Sequence, residues 1–190
     1  MLNITKINKA IWRVITGMIY RPRFGGIGKK TIIFKPMQLD NTKSVYLKDY
    51  VFIAHNAWLM GNKGKKCTLT IESRTVIGHF AHIIANDKVI IGKSVLIADK
   101  VFITDCTHSY EDLKIPISEQ PIMGLKEVYI GDESWLGENV CVLGASIGKH
   151  CIIGANSVVI NDIPDYSVAA GNPAKVIKKY DFEQSKWVKA

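Results

Sequence analysis

Residues 130–160, IGDESWLGENVCVLGASIGKHCIIGANSVVI, carry an aliphatic side chain at every sixth position. The series consists of Ile130, Leu136 and Val142 and then, after one residue is dropped at Gly144, of Ile147, Ile153 and Val159. An amphipathic helix needs a period near 3.6, and an alternating strand needs a period of two. A period of six instead favours a coil with three flat sides, in which one aliphatic side chain per side points toward a shared axis.

The same period extends back toward the N-terminus. Its earlier members are Ile27, Ile33, Leu39, Val45, Val51 and Ala57, then Ile71, Ile77 and Ile83, and after a slip of two residues Ile91, Ile97 and Ile103. Stacked coils would bury these side chains as one continuous column, over roughly seven coils. The sequence therefore predicts a mainly β fold, a parallel β-helix shaped as a triangular prism, with its main domain at residues 25–165. Glycine and small polar residues in each hexad are expected to supply positive φ at the corners.

Two segments interrupt the period. Residues 61–66 are rich in glycine and lysine and predict an exposed loop. Residues 104–127 contain His108, Pro116 and Pro121 and lack aliphatic periodicity. A long excursion from a compact domain costs ordering entropy and usually serves a function. We expect this excursion to fold against one side of the prism and to carry side chains into a groove.

The two ends of the chain have other patterns. Residues 1–24 predict an amphipathic helix that ends at Pro22, because apolar residues recur at three- and four-residue spacing. This series is Ile4, Ile7, Ile11, Val14, Ile15 and Met18. The helix is expected either to pack on the prism or, being basic, to lie on anionic lipid. Residues 166–190 predict a turn followed by a short basic helix or tail. No export signal is visible, so the expected location is the cytoplasm, with a peripheral contact to the inner membrane as one alternative.

Composition narrows the classes of function. The chain has 190 residues, 47% hydrophobic content and a formal charge of +8. The hydrophobic content argues against disorder, and the charge suits nucleic acid, anionic lipid or a phosphorylated small molecule. No nucleic-acid-binding module is recognisable, so that partner is not expected. The cysteines, which are Cys67, Cys106, Cys141 and Cys151, lack CxxC pairing and predict reduced thiols rather than disulfides or a zinc site.

Three segments resemble one family. They are ITDCTHSYED at 103–112, IGDESWLGENV at 130–140 and IGKHCIIGANSVVINDIPDYSVAAGNPAKVI at 147–177. They are similar to hexapeptide-repeat acyltransferases, and most of all to the maltose/galactoside and polysaccharide (capsule, colanic acid, O-antigen) O-acetyltransferases. The resemblance covers most of the chain from Ile27 onward. It implies a left-handed β-helix, acetyl-CoA as acyl donor, no required metal, and a homotrimer with each active site between two subunits.

The resemblance implies that His108 is the general base, which removes a proton from the acceptor hydroxyl as that hydroxyl attacks the acetyl thioester. Histidine suits this role because its ordinary pKa lies close to neutrality. Asp105 is the nearest acid that could hold the second ring nitrogen, ahead of Glu111 and Glu127, or it could instead cap its own loop. His82 is expected either to hydrogen-bond the acceptor or to pack at a corner.

Further residues match donor-binding positions of the family. Trp135, Gly137 and Ala155 match positions along the pantetheine arm, although Trp135 could equally be an exposed corner aromatic. Lys175 matches a basic position that meets the CoA phosphates. The chain departs from many relatives at residues 161–162, where Asn-Asp replaces a basic residue and puts a second phosphate contact in doubt.

The resemblance implies an acetyl-CoA-dependent O-acetyltransferase that modifies a sugar hydroxyl in surface polysaccharide or lipopolysaccharide biosynthesis. Alternatives are an N-acetyltransferase of an amino sugar, a xenobiotic acetyltransferase, and a non-catalytic β-helix scaffold. The sequence does not name the acceptor, because acceptor choice depends on a few polar groups that have no transferable motif.

Overall fold

The computed structural model describes residues 4–66 and 68–190, with side chains from Lys9 onward. The side chains of Ile4 and Ile7 and the whole of Cys67 therefore lie outside the described residues. The helix α1 spans Ile4–Ile15 and continues as a π-helical turn, Thr16–Tyr20, and a 3-10 turn, Arg21–Arg23. Two more 3-10 turns lie at Thr42–Ser44 and Ile117–Glu119.

The strands are short, as expected for the sides of a coil. In chain order they are β1 Gly26–Ile27, β2 Ile32–Ile33, β3 Gln38–Asp40, β4 Val45–Leu47, β5 Phe52–Ile53, β6 Trp58–Met60, β7 Leu69–Ile71, β8 Val76–Ile77, β9 His82–Ile84, β10 Val89–Ile91, β11 Leu96–Ile97, β12 Phe102–Thr104, β13 Cys106–His108, β14 Ile122–Gly124, β15 Val128–Ile130, β16 Trp135–Leu136, β17 Cys141–Leu143, β18 Ile152–Ile153, β19 Val158–Val159, β20 Ser167–Gly171, β21 Ala174–Asp181 and β22 Lys186–Lys189.

The strands form the three sides of a prism. Sheet A contains β1, β4, β7, β10 and β15, sheet C contains β3, β6, β9, β12, β17 and β19, and sheet B contains β2, β5, β8, β11, β16, β18, β20, β21 and β22. The chain visits A, B and C in turn, and successive coils pair in parallel. The fold is a parallel β-helix of about seven turns, as the period of six predicts, and it is left-handed, as the family resemblance implies.

The core is the predicted aliphatic column. Ile71 pairs in register with Leu47 in the preceding coil and with Ile91 in the following coil, and all three are at most 2% exposed. Burying one such side chain contributes about 1.5–3 kcal/mol. Because every coil adds the same layer, the stability of the prism comes from contacts between neighbouring coils.

The corners depart from one expectation. Positive φ falls mainly on non-glycine residues such as Lys30 and Asn139. The hexad glycines instead allow close stacking. A Cβ at Gly131 would lie 2.4 Å from the carbonyl carbon of Gly148 in the next coil. The expectation that these glycines supply positive φ is therefore wrong at most corners, and close backbone approach is the reason for glycine there.

The N-terminal helix packs on the first coil. The Trp12 and Phe34 rings lie 5.3 Å apart, and the Thr16 hydroxyl accepts a hydrogen bond from the Ile33 backbone N–H at 3.0 Å. Its outer side is exposed and apolar, with Met18 reaching 74% exposure. Within the part of the chain that the structure describes, no helix is both long and apolar enough to span a membrane.

The C-terminal segment corrects the sequence prediction of a short helix or tail. Strands β20, β21 and β22 form an antiparallel meander that extends sheet B. Tyr180 packs against Phe182 and Trp187, with ring centroids 5.1 and 5.4 Å away. Tyr180 lies in β21, Phe182 in the turn that follows it and Trp187 in β22, so the three rings pack at the end of the β21–β22 hairpin. β20 pairs with β18 on one side and with β21 on the other, so it has no free edge.

Candidate active site

The two interruptions of the period leave the prism along the same edge. We call this edge the C/A corner, where the chain passes from sheet C to sheet A. It consists of residues 41–44, 61–66, 85–88 and 105–127. The longest of these forms a hairpin, because β13 pairs antiparallel with β14, with Thr107 opposite Met123. The C/A corner therefore concentrates the irregular backbone of the molecule on one side of a rigid scaffold.

A cavity of about 760 Å³ lies between this corner and the outer face of sheet C. Its floor is largely apolar and comes from successive coils. The floor consists of Trp58, Met60, Ile84, Phe102 and Leu143. One wall is the hairpin, including Cys106, His108, Ile122 and Leu125, and the opposite wall is residues 61–63. The hairpin thus turns a flat sheet face into a concave site.

His108 is the titratable group that the hairpin brings to this cavity. Its backbone is held, because it pairs with Ile122 and the following Ser109 N–H donates to the Pro121 carbonyl at 2.9 Å. Its ring is exposed and, among the described residues, makes no hydrogen bond or ion pair. Both ring nitrogens are therefore available to a ligand, while the strand pairing fixes where the ring stands.

Asp105 does not orient His108. Its carboxylate is fully buried and accepts three backbone N–H bonds, from Asn86 at 2.7 Å, Asp87 at 2.7 Å and Lys88 at 2.5 Å. No hydrogen bond joins it to the His108 ring among the described residues. The prediction that Asp105 orients His108 is therefore wrong, and so is the alternative that it caps its own loop, because its three partners lie in the preceding coil. Asp105 anchors the base of the hairpin to the preceding coil.

Glu127, another candidate to orient His108, is engaged elsewhere. Its carboxylate accepts a hydrogen bond from the Tyr129 hydroxyl at 2.8 Å and lies 3.3 Å from the Lys88 ammonium. The Tyr129 hydrogen bond, followed by the Lys88 bond, lowers the pKa of Glu127. Glu127 therefore ties the returning end of the excursion to the same coil that Asp105 holds.

His82 lies beside the cavity, in an aromatic stack on sheet C. Its ring is 4.0 Å from the Trp58 ring, nearly parallel to it, and 5.0 Å from the Phe102 ring. Both neighbours line the cavity, whereas His82 is not part of its lining. Burial lowers the pKa of His82, and its Nε2 is buried without a hydrogen-bond partner. The neutral ring supports the cavity floor in this structure, and contact with an acceptor stays a prediction.

The residues predicted to bind the donor lie elsewhere on the prism. Trp135 stands 48% exposed on the outer face of sheet B, between Leu96 and Ile152. A Cβ on Gly137 would lie 2.7 Å from the backbone nitrogen of Ala155, so these two positions adjoin at a corner. The last of the set, exposed Lys175, pairs with Ala170 in the C-terminal meander. None of the four lines the cavity that contains His108.

The three described thiols form no second site. Cys106, Cys141 and Cys151 are free, and burial raises the pKa of each. In residues 4–66 and 68–190, no group of three or more histidine, cysteine or carboxylate side chains is placed to hold a metal ion.

Sequence reasoning missed most of the cavity lining. Trp58 and Phe102 flank His82 because residues at equivalent positions of successive coils stack in register. Aligning the coils on their buried aliphatic residues would have placed all three in one column. Asn62 and Asn86 also line the cavity, and their side chains hydrogen-bond each other at 3.0 Å. Each lies in an aperiodic segment, where the sequence carries no register signal.

The chain is similar to known acetyltransferases in sequence and to a solved acyltransferase in fold. No family model matches the chain. It is 45% identical over 121 residues to the "Putative lipopolysaccharide biosynthesis O-acetyl transferase WbbJ" of Escherichia coli, a match that covers 60% of this chain and 62% of that protein. A crystal structure of a mutant of AntD, an N-acyltransferase from Bacillus cereus, in complex with dTDP-4-amino-4,6-dideoxyglucose and coenzyme A superposes with a TM-score of 0.73 at 18% identity. That superposition covers 89% of this chain and 91% of AntD.

One relative is matched over most of both sequences. The chain is 33% identical over 166 residues to the "Putative acetyltransferase YJL218W" of Saccharomyces cerevisiae, covering 85% of this chain and 69% of the yeast protein. The E. coli and yeast matches are both named as acetyltransferases, and the prism is built from hexad coils. The chain belongs to the hexapeptide-repeat acetyltransferase family.

Proposed function

We propose that the protein is an acetyl-CoA-dependent O-acetyltransferase that acts on a sugar hydroxyl in surface polysaccharide or lipopolysaccharide biosynthesis. The observation that carries this proposal is His108, an imidazole that makes no hydrogen bond or ion pair among the described residues and is held on the cavity wall by paired strands. The relatives point to the chemistry, since WbbJ is named as a putative O-acetyl transferase and the AntD structure contains coenzyme A.

The proposed reaction is a direct transfer. Neutral His108 takes the proton from the acceptor hydroxyl as the oxygen attacks the carbonyl carbon of the thioester. The carbon–sulfur bond then breaks, and the imidazolium returns the proton to the departing CoA sulfur. The acetyl ester and free CoA are the products. Cys106 shares the cavity, but burial raises the pKa of its thiol and so disfavours the thiolate that a covalent route would need.

The proposed donor contacts come from a second subunit. Trp135, Gly137, Ala155 and Lys175 lie outside the His108 cavity of their own chain, so one prism by itself does not assemble both halves of the site. In a homotrimer, one subunit supplies His108 and its neighbour supplies the CoA positions. The exposed outer face of sheet B, which carries Leu96 and Trp135, is available for such a contact.

A transfer assay tests the function. Acetyl-CoA is incubated with free sugars, sugar nucleotides, amino sugars and chloramphenicol, while CoA thiol release and product mass are followed. We expect acetylation of a sugar hydroxyl, and the product should lose its acetyl group on hydroxylamine treatment because an ester is cleaved where an amide survives. A hydroxylamine-stable product would favour the N-acetyltransferase. If no acceptor is acetylated, the result would favour the non-catalytic scaffold.

We further propose that helix α1 rests on anionic membrane surfaces. Support comes from the exposed apolar residues Ile11 and Val14 of α1 and Met18 and Ile19 of the π-helical turn that follows it, beside the cations Arg13 and Arg21. The variant Ile11→Asn/Met18→Asn should bind vesicles of phosphatidylglycerol at least about tenfold more weakly in a sedimentation assay, because each apolar side chain contributes about 1.5–3 kcal/mol when buried. Ile177→Asn, at an exposed position of the meander, is the control. Equal binding by all three proteins would contradict the proposal.

A further inference from the structure

A second concavity adjoins the His108 cavity and is strongly basic. It has a volume of about 540 Å³ and lies between the end of the helical segment, the 3-10 turn Thr42–Ser44 and the loop at 61–66. Its cations are Arg23, Lys43, Lys63 and Lys65. We call it the basic cleft. It shares Asn41, Asn62 and Lys63 with the lining of the cavity, so the two concavities lie side by side.

The cations of the basic cleft are mostly uncompensated. Lys65 pairs with Asp87, and Lys43 donates to the Pro22 carbonyl at 2.7 Å, which leaves its other protons free. Among the described residues, the side chains of Arg23 and Lys63 form no ion pair or hydrogen bond, and no carboxylate lines the cleft. Like charges gathered in one concavity repel one another and raise the local concentration of anions.

The walls of the basic cleft are built by hydrogen bonds between segments. The Thr42 hydroxyl donates to the Arg23 carbonyl at 2.8 Å, and the Asn41 amide donates to the Gly61 carbonyl at 3.0 Å. The Asn62 amide donates to the Asn86 carbonyl at 2.9 Å. Asn86 is in turn one of the residues that Asp105 holds at the base of the hairpin. The basic cleft and the His108 cavity are therefore parts of one framework.

We infer that the basic cleft binds a phosphate or diphosphate group of the acceptor, so that the acetylated sugar is carried on a phosphate-linked group. This inference rests on the proposed function, because it takes the His108 cavity as the acceptor site. Three cations of the cleft, Arg23, Lys43 and Lys63, form no ion pair among the described residues, and Arg23 offers a fork of donors. This set suits a doubly or more highly charged phosphate better than a single carboxylate. The phosphate would bind in the basic cleft, and the sugar would extend past Asn62, which lines both concavities, toward His108.

Direct binding tests the site without any turnover. Inorganic diphosphate is titrated into the full chain by calorimetry, for the wild type, for Arg23→Ala/Lys63→Ala, and for the control Lys93→Ala/Lys149→Ala. The control removes two exposed lysines at the corner between sheets A and B. We expect diphosphate to bind the wild type and the control equally, and the cleft variant at least about tenfold more weakly, since two charge-assisted bonds are lost. Equal affinity in all three proteins would overturn the inference.

Kinetics separate the acceptor from the donor. The same sugar is offered free, as a nucleoside diphosphate sugar and as a short polyprenyl diphosphate sugar. We expect kcat/KM of Arg23→Ala/Lys63→Ala to fall at least about tenfold for the diphosphate acceptors, with KM for acetyl-CoA unchanged. A preference for either diphosphate carrier supports the inference and identifies the source of the phosphate.

Two results would overturn it. One is equal use of the free sugar and the diphosphate sugars by the wild type, and the other is a loss that falls on KM for acetyl-CoA instead of the acceptor. The proposed function is contradicted by a different result, which is absence of transfer from the wild type to any acceptor. The diphosphate titration does not depend on transfer, so it tests the basic cleft in either case.

Discussion

Replacement of His108 by alanine is expected to lower kcat for acetyl transfer about 10²–10⁴-fold, the usual contribution of a general base. A sugar hydroxyl is a poor nucleophile unless a neighbouring group takes its proton as it attacks. Among the described residues, no other histidine lines the cavity. The measurement is CoA thiol release under saturating acetyl-CoA and acceptor.

The fold should survive this substitution. The His108 ring is exposed and makes no hydrogen bond to the described residues, so alanine removes little packing and leaves no buried group unpaired. Thermal unfolding of the variant should match the wild type. His150→Ala is the matched control, because that exposed imidazole lies 3.3 Å from Glu133 at another corner and should be dispensable. Near-normal turnover by His108→Ala would contradict the role of His108 as general base and would not affect the assignment of the β-helix fold.

The sequence predicted the prism well because the period of six reports a physical requirement. Each coil must place one aliphatic residue per side in the core, so that residues such as Ile71 and Ile91 reveal the register directly. The C-terminal meander differs from the predicted helix or tail, because lysines such as Lys178 and Lys179 indicate only an exposed, charged segment. Strand pairing with β20 decides its structure, and such pairing leaves no mark within the segment itself.

The site was harder to predict than the fold. His108 could be located from its motif and from its place in the longest interruption. The partner of Asp105 could not, because it depends on which coil the hairpin base touches. Separation by three residues favoured contact with His108, yet the structure joins Asp105 to Asn86 and its two successors in the preceding coil. Contacts between coils follow the stacking register, and the register is invisible where the period is interrupted.

Replacement of Asp105 by alanine is expected to have the largest effect on stability. It leaves the backbone N–H groups of Asn86, Asp87 and Lys88 without their acceptor, beside a carboxylate site that is fully buried. An orphaned buried donor costs about 1–3 kcal/mol, and because these residues are only partly buried we expect a total of about 2–5 kcal/mol. The melting temperature should fall by about 5–15 °C. Asp105→Asn should lose most of the same stability, since a carboxamide offers one acceptor oxygen in place of two.

The same variant distinguishes an anchor from an orienting carboxylate. An anchor predicts that Asp105→Ala loses amide hydrogen-exchange protection at residues 86–88 and at the hairpin strands, and that kcat falls because His108 is no longer held in place. An orienting carboxylate predicts a lower kcat with unchanged exchange and melting temperature. Asp112→Ala is the control, because its carboxylate accepts only the Lys114 N–H near the exposed hairpin tip. Asp105 holds Asn86, which lines the cavity and hydrogen-bonds Asn62 of the basic cleft. The anchor therefore also predicts weaker diphosphate binding in Asp105→Ala, which an orienting role would leave unchanged.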